Sequence, residues 1–177
     1  MKIALRLLFA LAVAFAVSAC RKDAQPETDT TPAPVEDTSS QDVSTSAAPD
    51  PRDYTDARNF DNPESLLSKR VVYFDFDKSE VKAEYRSIVA AHAAYIASSS
   101  SAKVTLEGHA DERGTREYNL GLGERRGNAV NGLLSAGGAR GGQLDVVSYG
   151  EERPICRVSS EDCWWKNRRV EIVYTAR

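Results

Sequence analysis

A stretch of more than forty residues with almost no large apolar side chains decides where this chain can fold. Residues 21–63 are rich in Pro, Ser, Thr, Ala and acids, and no tyrosine or larger ring appears before Tyr54. From Asp23 to Asp50 the charges are Asp23, Glu27, Asp29, Glu36, Asp37, Asp42 and Asp50, with no base among them. Such a segment cannot bury enough apolar area to offset its ordering entropy, and like charges extend it. A coil of about 40 residues holds its ends roughly 35 Å apart. The expectation is a spacer over 20–63, and any core falls to residues 64–177.

What precedes the spacer is an export signal. In "MKIALRLLFALAVAFAVSAC", Lys2 and Arg6 form a basic start and Leu7 to Val17 is uninterruptedly apolar. At 1.5 Å per residue that run is too short for a bilayer core of about 30 Å, so residues 1–19 read as a signal peptide. "VSAC" resembles a lipobox, which makes Cys20 a lipidation site. The alternative is an ordinary signal peptide with an incidental cysteine. Arg21 follows Cys20 where an inner-membrane retention signal would have aspartate, which favours the outer membrane.

Cys156 and Cys163, in "CRVSSEDC", are then exposed to oxidising conditions, and their spacing suggests one short disulfide loop. The two histidines of the chain, His92 and His109, do not stand at ligand spacing from this pair, which argues against zinc. A net charge of −3 gives no reason to expect nucleic acid.

Within 64–177, "VVYFDF" (71–76) reads as a buried strand. Ser79 is placed to cap a helix running to about Ile96, with Val81, Tyr85, Ile88, Val89, His92 and Ile96 at helical spacing. His92 on that stripe reads as a satisfied core histidine. "KVTLEGHA" alternates as a second strand, "LGERRGNAVNGLLSAGG" is a second helix closed by Gly137 and Gly138, and "LDVVSYG" and "RRVEIVYT" are further strands. The order β-α-β-α-β-β predicts an α/β (α+β) sandwich, two main helices packed on a mixed four-stranded sheet.

One residue does not suit its helix. Arg126 falls on the stripe of Leu122, Val130, Leu133 and Leu134, and an arginine facing inward needs an anion. Asp77 follows the first strand and Asp111 the second. If those strands are neighbours, both carboxylates emerge at one edge of the sheet, and Asn119 is a fitting N-cap for the helix that carries Arg126. Two carboxylates and a guanidinium would match a zwitterion, ammonium on carboxylate and carboxylate on arginine. An internal Asp111–Arg126 salt bridge without a ligand remains the other reading.

"DFD" after a strand also resembles the start of a dehalogenase-type phosphotransferase, with Asp75 as nucleophile and Asp77 as acid/base. That chemistry needs a magnesium-completing acidic pair, and Glu151–Glu152 lacks the aspartate expected after it. A hydrolase is no better supported, because no zinc ligand set or Cys–His pair is visible.

"VYFDFDKSE", "TLEGHADERGTREYNLGLGERRGNAV", "VSYGEERP" and "NRRVEIVY" resemble the peptidoglycan-associated lipoproteins of the Tol–Pal system, within the OmpA-like C-terminal domain family. The likeness covers about Val71 to the C-terminus. Its core pattern falls on Asp111, Gly114, Asn119, Leu122 and Arg126. The resemblance implies a non-enzymatic domain without cofactor that binds the meso-diaminopimelate of peptidoglycan. Arg126 and Asp111 would grip the zwitterionic end, Asp77 and Phe76 would line the site, and Asn119 and Leu122 would shape it. It also implies the propeller protein TolB as a partner, and a lipid on Cys20 holding the outer membrane. Arg116 stands where many relatives have proline, and Gly121 and Gly127 replace commoner Ala or Ser, which predicts a softer helix by up to ~1 kcal/mol per glycine.

Overall fold

The computed structural model describes residues 48–177, so the export signal, Cys20 and the spacer up to residue 47 lie outside the described residues. Four strands, β1 (Val71–Tyr73), β2 (Lys103–His109), β3 (Leu144–Gly150) and β4 (Arg169–Ala176), form one sheet in the order β1-β4-β2-β3. Three helices accompany them: α1 (Ala83–Ser98), α2 (Arg116–Ala136) and α3 (Glu161–Asn167). β4 is antiparallel to both β1 and β2, while β2 and β3 run parallel, so the sheet is mixed as expected.

The strands β1 and β2 are not neighbours, which corrects the premise that placed Asp77 beside Asp111. The last strand, β4, lies between them. Because β4 opposes both, β1 and β2 still point the same way, and their C-terminal ends reach the same edge. The carboxylates therefore converge for a reason that adjacency did not supply.

Alternation explains β2: Val104, Leu106 and Gly108 turn inward and Thr105 and Glu107 do not. The helix α2 lies against this face closely enough to exclude side chains. A Cβ on Gly108 would collide with the backbone carbonyl of Gly123, and one on Gly127 would stand 2.5 Å from Val146 Cγ1. Gly127 is thus a contact residue, not a point of softness. Gly121, on the outer side, would meet only the end of Arg125 at 3.3 Å.

Several sequence-based boundaries move. The helix α1 begins at Ala83 with Lys82, not Ser79, at its N-cap position, and Lys82 makes no capping bond through its side chain. Residues 75–82 are needed as a loop that carries the chain from the sheet edge back to the helix. The strand expected over 71–76 ends at Tyr73; Phe74 stays buried, but Phe76 turns out to solvent. The folded unit also starts well before residue 64. Phe60 is 2% exposed and meets Tyr95 and Tyr174 edge-on at 4.7 and 4.6 Å, and Asn59 Nδ2 donates to the carbonyls of Asp50 and Asp53 at 2.7 Å each.

His92 is buried between two partners that fix its tautomer. The Lys69 carbonyl, 3.0 Å away, can only accept, so Nε2 carries the proton and Nδ1 accepts from the Tyr174 hydroxyl at 2.9 Å. The helix α3 was not expected. It is short, and Cys163 within it is joined to Cys156 by a disulfide.

Candidate functional site

The site is built by two loops and one helix at the C-terminal edge of β1 and β2. The first loop, after Phe74, turns through Asp77, whose φ of 56° is left-handed. That conformation costs roughly 1–2 kcal/mol for a residue other than glycine, and aspartate tolerates it better than most. The Tyr118 hydroxyl donates to the Asp77 carboxylate and holds the turn. In the second loop Gly114 has φ 110°, which explains a glycine three residues after Asp111.

The helix α2 starts one turn earlier than expected. Thr115, not Asn119, is its N-cap, accepting from the Tyr118 backbone N–H at 3.2 Å. Asn119 lies inside the helix, buried, and its Nδ2 donates to Glu151 Oε2 at 2.5 Å. The earlier start brings Tyr118 into the site and leaves Leu122 and Arg126 on the inward face, as their spacing predicted.

Arg126 is fully buried. Its Nε donates to the carbonyl of Lys78 at 2.8 Å, Nη1 to that of His109 at 2.8 Å, and Nη2 to that of Asp75 at 3.1 Å. One guanidinium thus ties α2 to the end of β2 and to the β1–α1 loop. Burial lowers its pKa to about 10, against the pull of Asp111 in the other direction, and it stays charged at neutral pH.

The internal Asp111–Arg126 ion pair does not form among the described ion pairs. Asp111, 4% exposed, is held instead by Arg113 Nη2 at 2.6 Å and Arg168 Nη1 at 3.2 Å, and it also accepts the Arg113 backbone N–H at 3.1 Å. Burial works to raise its pKa. The Arg113 hydrogen bonds and then Arg168 outweigh that, so the carboxyl titrates below its ordinary value. Arg168 is itself fixed by the Phe74 carbonyl at 3.1 Å and Glu161 at 2.5 Å. The Arg113 guanidinium lies 3.9 Å from the ring centroid of Phe76 and 4.2 Å from that of Trp164.

All six residues expected to shape the site, Phe76, Asp77, Asp111, Asn119, Leu122 and Arg126, line one cleft of about 180 Å³. Arg113, Gly114 and Tyr118 complete it. The volume is below the roughly 300–1,000 Å³ of sites for drug-sized molecules, and suits the end of one amino-acid side chain. Sequence reasoning missed Arg113, Tyr118, Trp164 and Arg168. A usable signal existed for Arg168: two adjacent arginines opening an apolar strand, both found buried. Among the described residues no group of three or more His, Cys, Asp or Glu is placed to hold a metal ion.

Comparison with known proteins now places this architecture. The model of the OmpA family matches residues 73–168, more than half of the chain and every element from the end of β1 to the start of β4. The chain belongs to the OmpA family. OmpA-family domains of this kind are not enzymes, which removes the phosphotransferase reading of Asp75 and Asp77. Among relatives, the peptidoglycan-associated lipoprotein of Haemophilus influenzae is 50% identical over 103 residues, covering 58% of this chain and 67% of its own. The crystal structure of the peptidoglycan-associated lipoprotein from Burkholderia pseudomallei is 41% identical with a TM-score of 0.64, covering 66% of this chain and 98% of that one. The cell wall anchor of the T6SS from Pseudomonas aeruginosa is 26% identical with a TM-score of 0.51, covering 59% and 76%. The OmpA-family match contains all six cleft residues named from the sequence.

Proposed function

We propose that this protein is a non-catalytic tether, anchored in the outer membrane by a lipid on Cys20, whose domain faces the periplasm and binds peptidoglycan. The ligand group is the meso-diaminopimelate of the stem peptide, whose far end carries both an ammonium and a carboxylate. The observation that carries the reading is the convergence of Asp111, Asp77 and Arg126 on one small cleft, with Phe76, Asn119 and Leu122 shaping its walls. A guanidinium at the floor and carboxylates beside it would offer opposite charges to a zwitterion. Relatives named peptidoglycan-associated lipoproteins, and a structural neighbour described as a cell wall anchor, support it. The acidic spacer would span the gap between membrane and wall. Within the Tol–Pal system, TolB would compete for the same surface, letting the linkage release and re-form as the envelope constricts at division.

The test is calorimetric titration of the chain from residue 20 onward, with Cys20→Ser to keep it soluble. The ligands are a muropeptide with meso-diaminopimelate and its lysine counterpart. Lysine lacks the second carboxylate, so its binding should be weaker by about 1.5–3 kcal/mol, or at least about tenfold. Heat from neither ligand in a folded protein would sink the proposal.

A further inference from the structure

We infer that the Cys156–Cys163 bridge is a thiol–disulfide exchange site, and that opening it frees the first turn of α3 and so loosens the cleft. The partner chemistry is a dithiol, two thiols close enough to close into a disulfide of their own. The effect on binding rests on the diaminopimelate reading above; the exchange itself does not.

The two sulfurs are unequal. Cys163 is 2% exposed, whereas Cys156 is half-buried and lines a cavity of about 250 Å³ with Glu112, Glu151 and Arg157. An incoming thiolate therefore reaches Cys156 first. The sulfur it displaces is prepared to leave, because the backbone N–H of Val158 donates to Cys163 Sγ at 3.1 Å. A hydrogen bond to sulfur favours its charged form, and a better stabilised thiolate leaves faster.

The attacking thiolate forms a mixed disulfide with Cys156 Sγ as the bond to Cys163 breaks, and Cys163 departs as a thiolate. The partner's second thiolate then attacks its own sulfur in that mixed disulfide and releases Cys156. Two electrons and two protons pass to the protein, which ends with two thiols, and the partner ends with a disulfide.

Opening the bridge loosens one end of α3 and not the other. The helix has seven residues, too few to stay helical alone, and its N-cap Ser160 makes no side-chain capping bond. At its C-terminal end Asn167 Oδ1 accepts from the backbone N–H groups of Ile155 and Cys156 at 3.0 and 3.1 Å. Its Nδ2 donates to the Cys156 carbonyl at 2.7 Å. In the first turn the covalent fastening is the bridge at Cys163. Without it that turn is left to contacts of Glu161, whose side chain is 60% exposed, and of Trp164. Solvent-exposed pairs of that kind contribute little.

Those two side chains reach the cleft. Glu161 Oε1 accepts from Arg168 Nη2 at 2.5 Å, and its Oε2 lies 3.5 Å from Arg113 Nη2. The Trp164 ring lies 4.2 Å from the Arg113 guanidinium. Arg113 and Arg168 in turn hold Asp111. The state of the two sulfurs thus sets how firmly the Asp111 side of the cleft is held, with no cleft residue altered.

The test uses the chain from residue 20 onward with Cys20→Ser, and with Trp165→Phe so that Trp164 is its sole indole. Dithiothreitol is added without denaturant, and free thiols are counted by alkylation and mass spectrometry. The bridge should open while thermal melts stay cooperative, and glutathione used in place of the dithiol should be found on Cys156. Trp164 fluorescence should shift on reduction and return on reoxidation. The meso-diaminopimelate muropeptide should bind the reduced chain about three- to tenfold more weakly than the oxidised one, and Cys156→Ser with Cys163→Ser should match the reduced chain. A bridge that opens only in denaturant, or glutathione on Cys163, overturns the exchange site. A bridge that opens with fluorescence and affinity unchanged overturns its coupling to the cleft. An oxidised chain that binds no muropeptide removes the ligand reading and the effect on binding, while alkylation and fluorescence still decide the exchange.

Discussion

Arg126 on α2 and His109 at the end of β2 are joined by a hydrogen bond of 2.8 Å from the guanidinium to the main-chain carbonyl. With the Asp75 and Lys78 carbonyls as further acceptors, Arg126 satisfies three backbone carbonyls, two in the β1–α1 loop and one at the end of β2. Removing it leaves three carbonyls to find water in a buried place. Arg126→Met should lower stability by about 3–5 kcal/mol, whereas Arg125→Met, on the exposed side of the same helix, should stay within about 0.5 kcal/mol. Urea denaturation of the two variants decides it. Equal small effects would mean that the carbonyls are satisfied without Arg126.

Glycines of α2 separate into two kinds. A Cβ on Gly132 meets nothing within 4 Å, while one on Gly127 meets Val146 Cγ1 at 2.5 Å. Gly132→Ala should therefore stabilise by up to about 1 kcal/mol through helix propensity, and Gly127→Ala should destabilise by about 1–3 kcal/mol through overpacking. The same sign for both variants in thermal melts would refute the close approach of helix and sheet.

Cys156 and Cys163 close a loop between residues seven apart in sequence. Chain-entropy arguments give a loop of that length about 2–3 kcal/mol. The bridge also holds α3, whose Glu161 and Trp164 support Arg168 and Arg113. Cys156→Ser combined with Cys163→Ser should lower Tm by roughly 5–10 °C. A Tm unchanged by the double substitution, and by a reducing agent in wild type, would show that packing alone secures α3.

His92 supplies a pH signature. Burial lowers its pKa from 6.5 to about 4, outweighing the Lys69 carbonyl, which works to raise it, while an Nδ1 that accepts from the Tyr174 hydroxyl suits the neutral ring. The unfolded chain therefore binds more protons than the folded one between those values, and stability rises with pH across that window. The contribution, about 3 kcal/mol for His92, is complete above pH 6.5 and lost as pH falls toward 4. Asp111, with its pKa lowered, affects stability only at lower pH. Urea midpoints at pH 7, 5.5 and 4 should fall in that order, less steeply in His92→Gln. A wild-type midpoint flat over this range would contradict a buried neutral histidine.

Much of this architecture was legible in one dimension because the signals are local. Strands β2, β3 and β4 follow from period-two patterns of apolar residues, and the inward placement of Arg126 from its spacing to Leu122 and Val130. Helix starts were less legible. Thr115 and Asn119 are both good caps, and only the packing of Tyr118 and Asn119 into the cleft decides between them. Phe76 looked like a strand residue because it follows the β-branched and aromatic run 71–74, yet its ring stacks on Arg113 at the surface.

By itself the sequence determined where a core could form, which helix face turns inward, and that Arg126 must face a compensating group, since each depends on composition or on periodicity along a single element. Only the tertiary structure decided what compensates it. The acceptors of Arg126 lie in the β1–α1 loop and at the end of β2, and the partners of Asp111 lie both beside it and 57 residues away. Those pairings depend on β4 inserting between β1 and β2, which is a long-range choice of strand order. A one-dimensional pattern shows that a buried charge needs a partner; three-dimensional packing chooses which one.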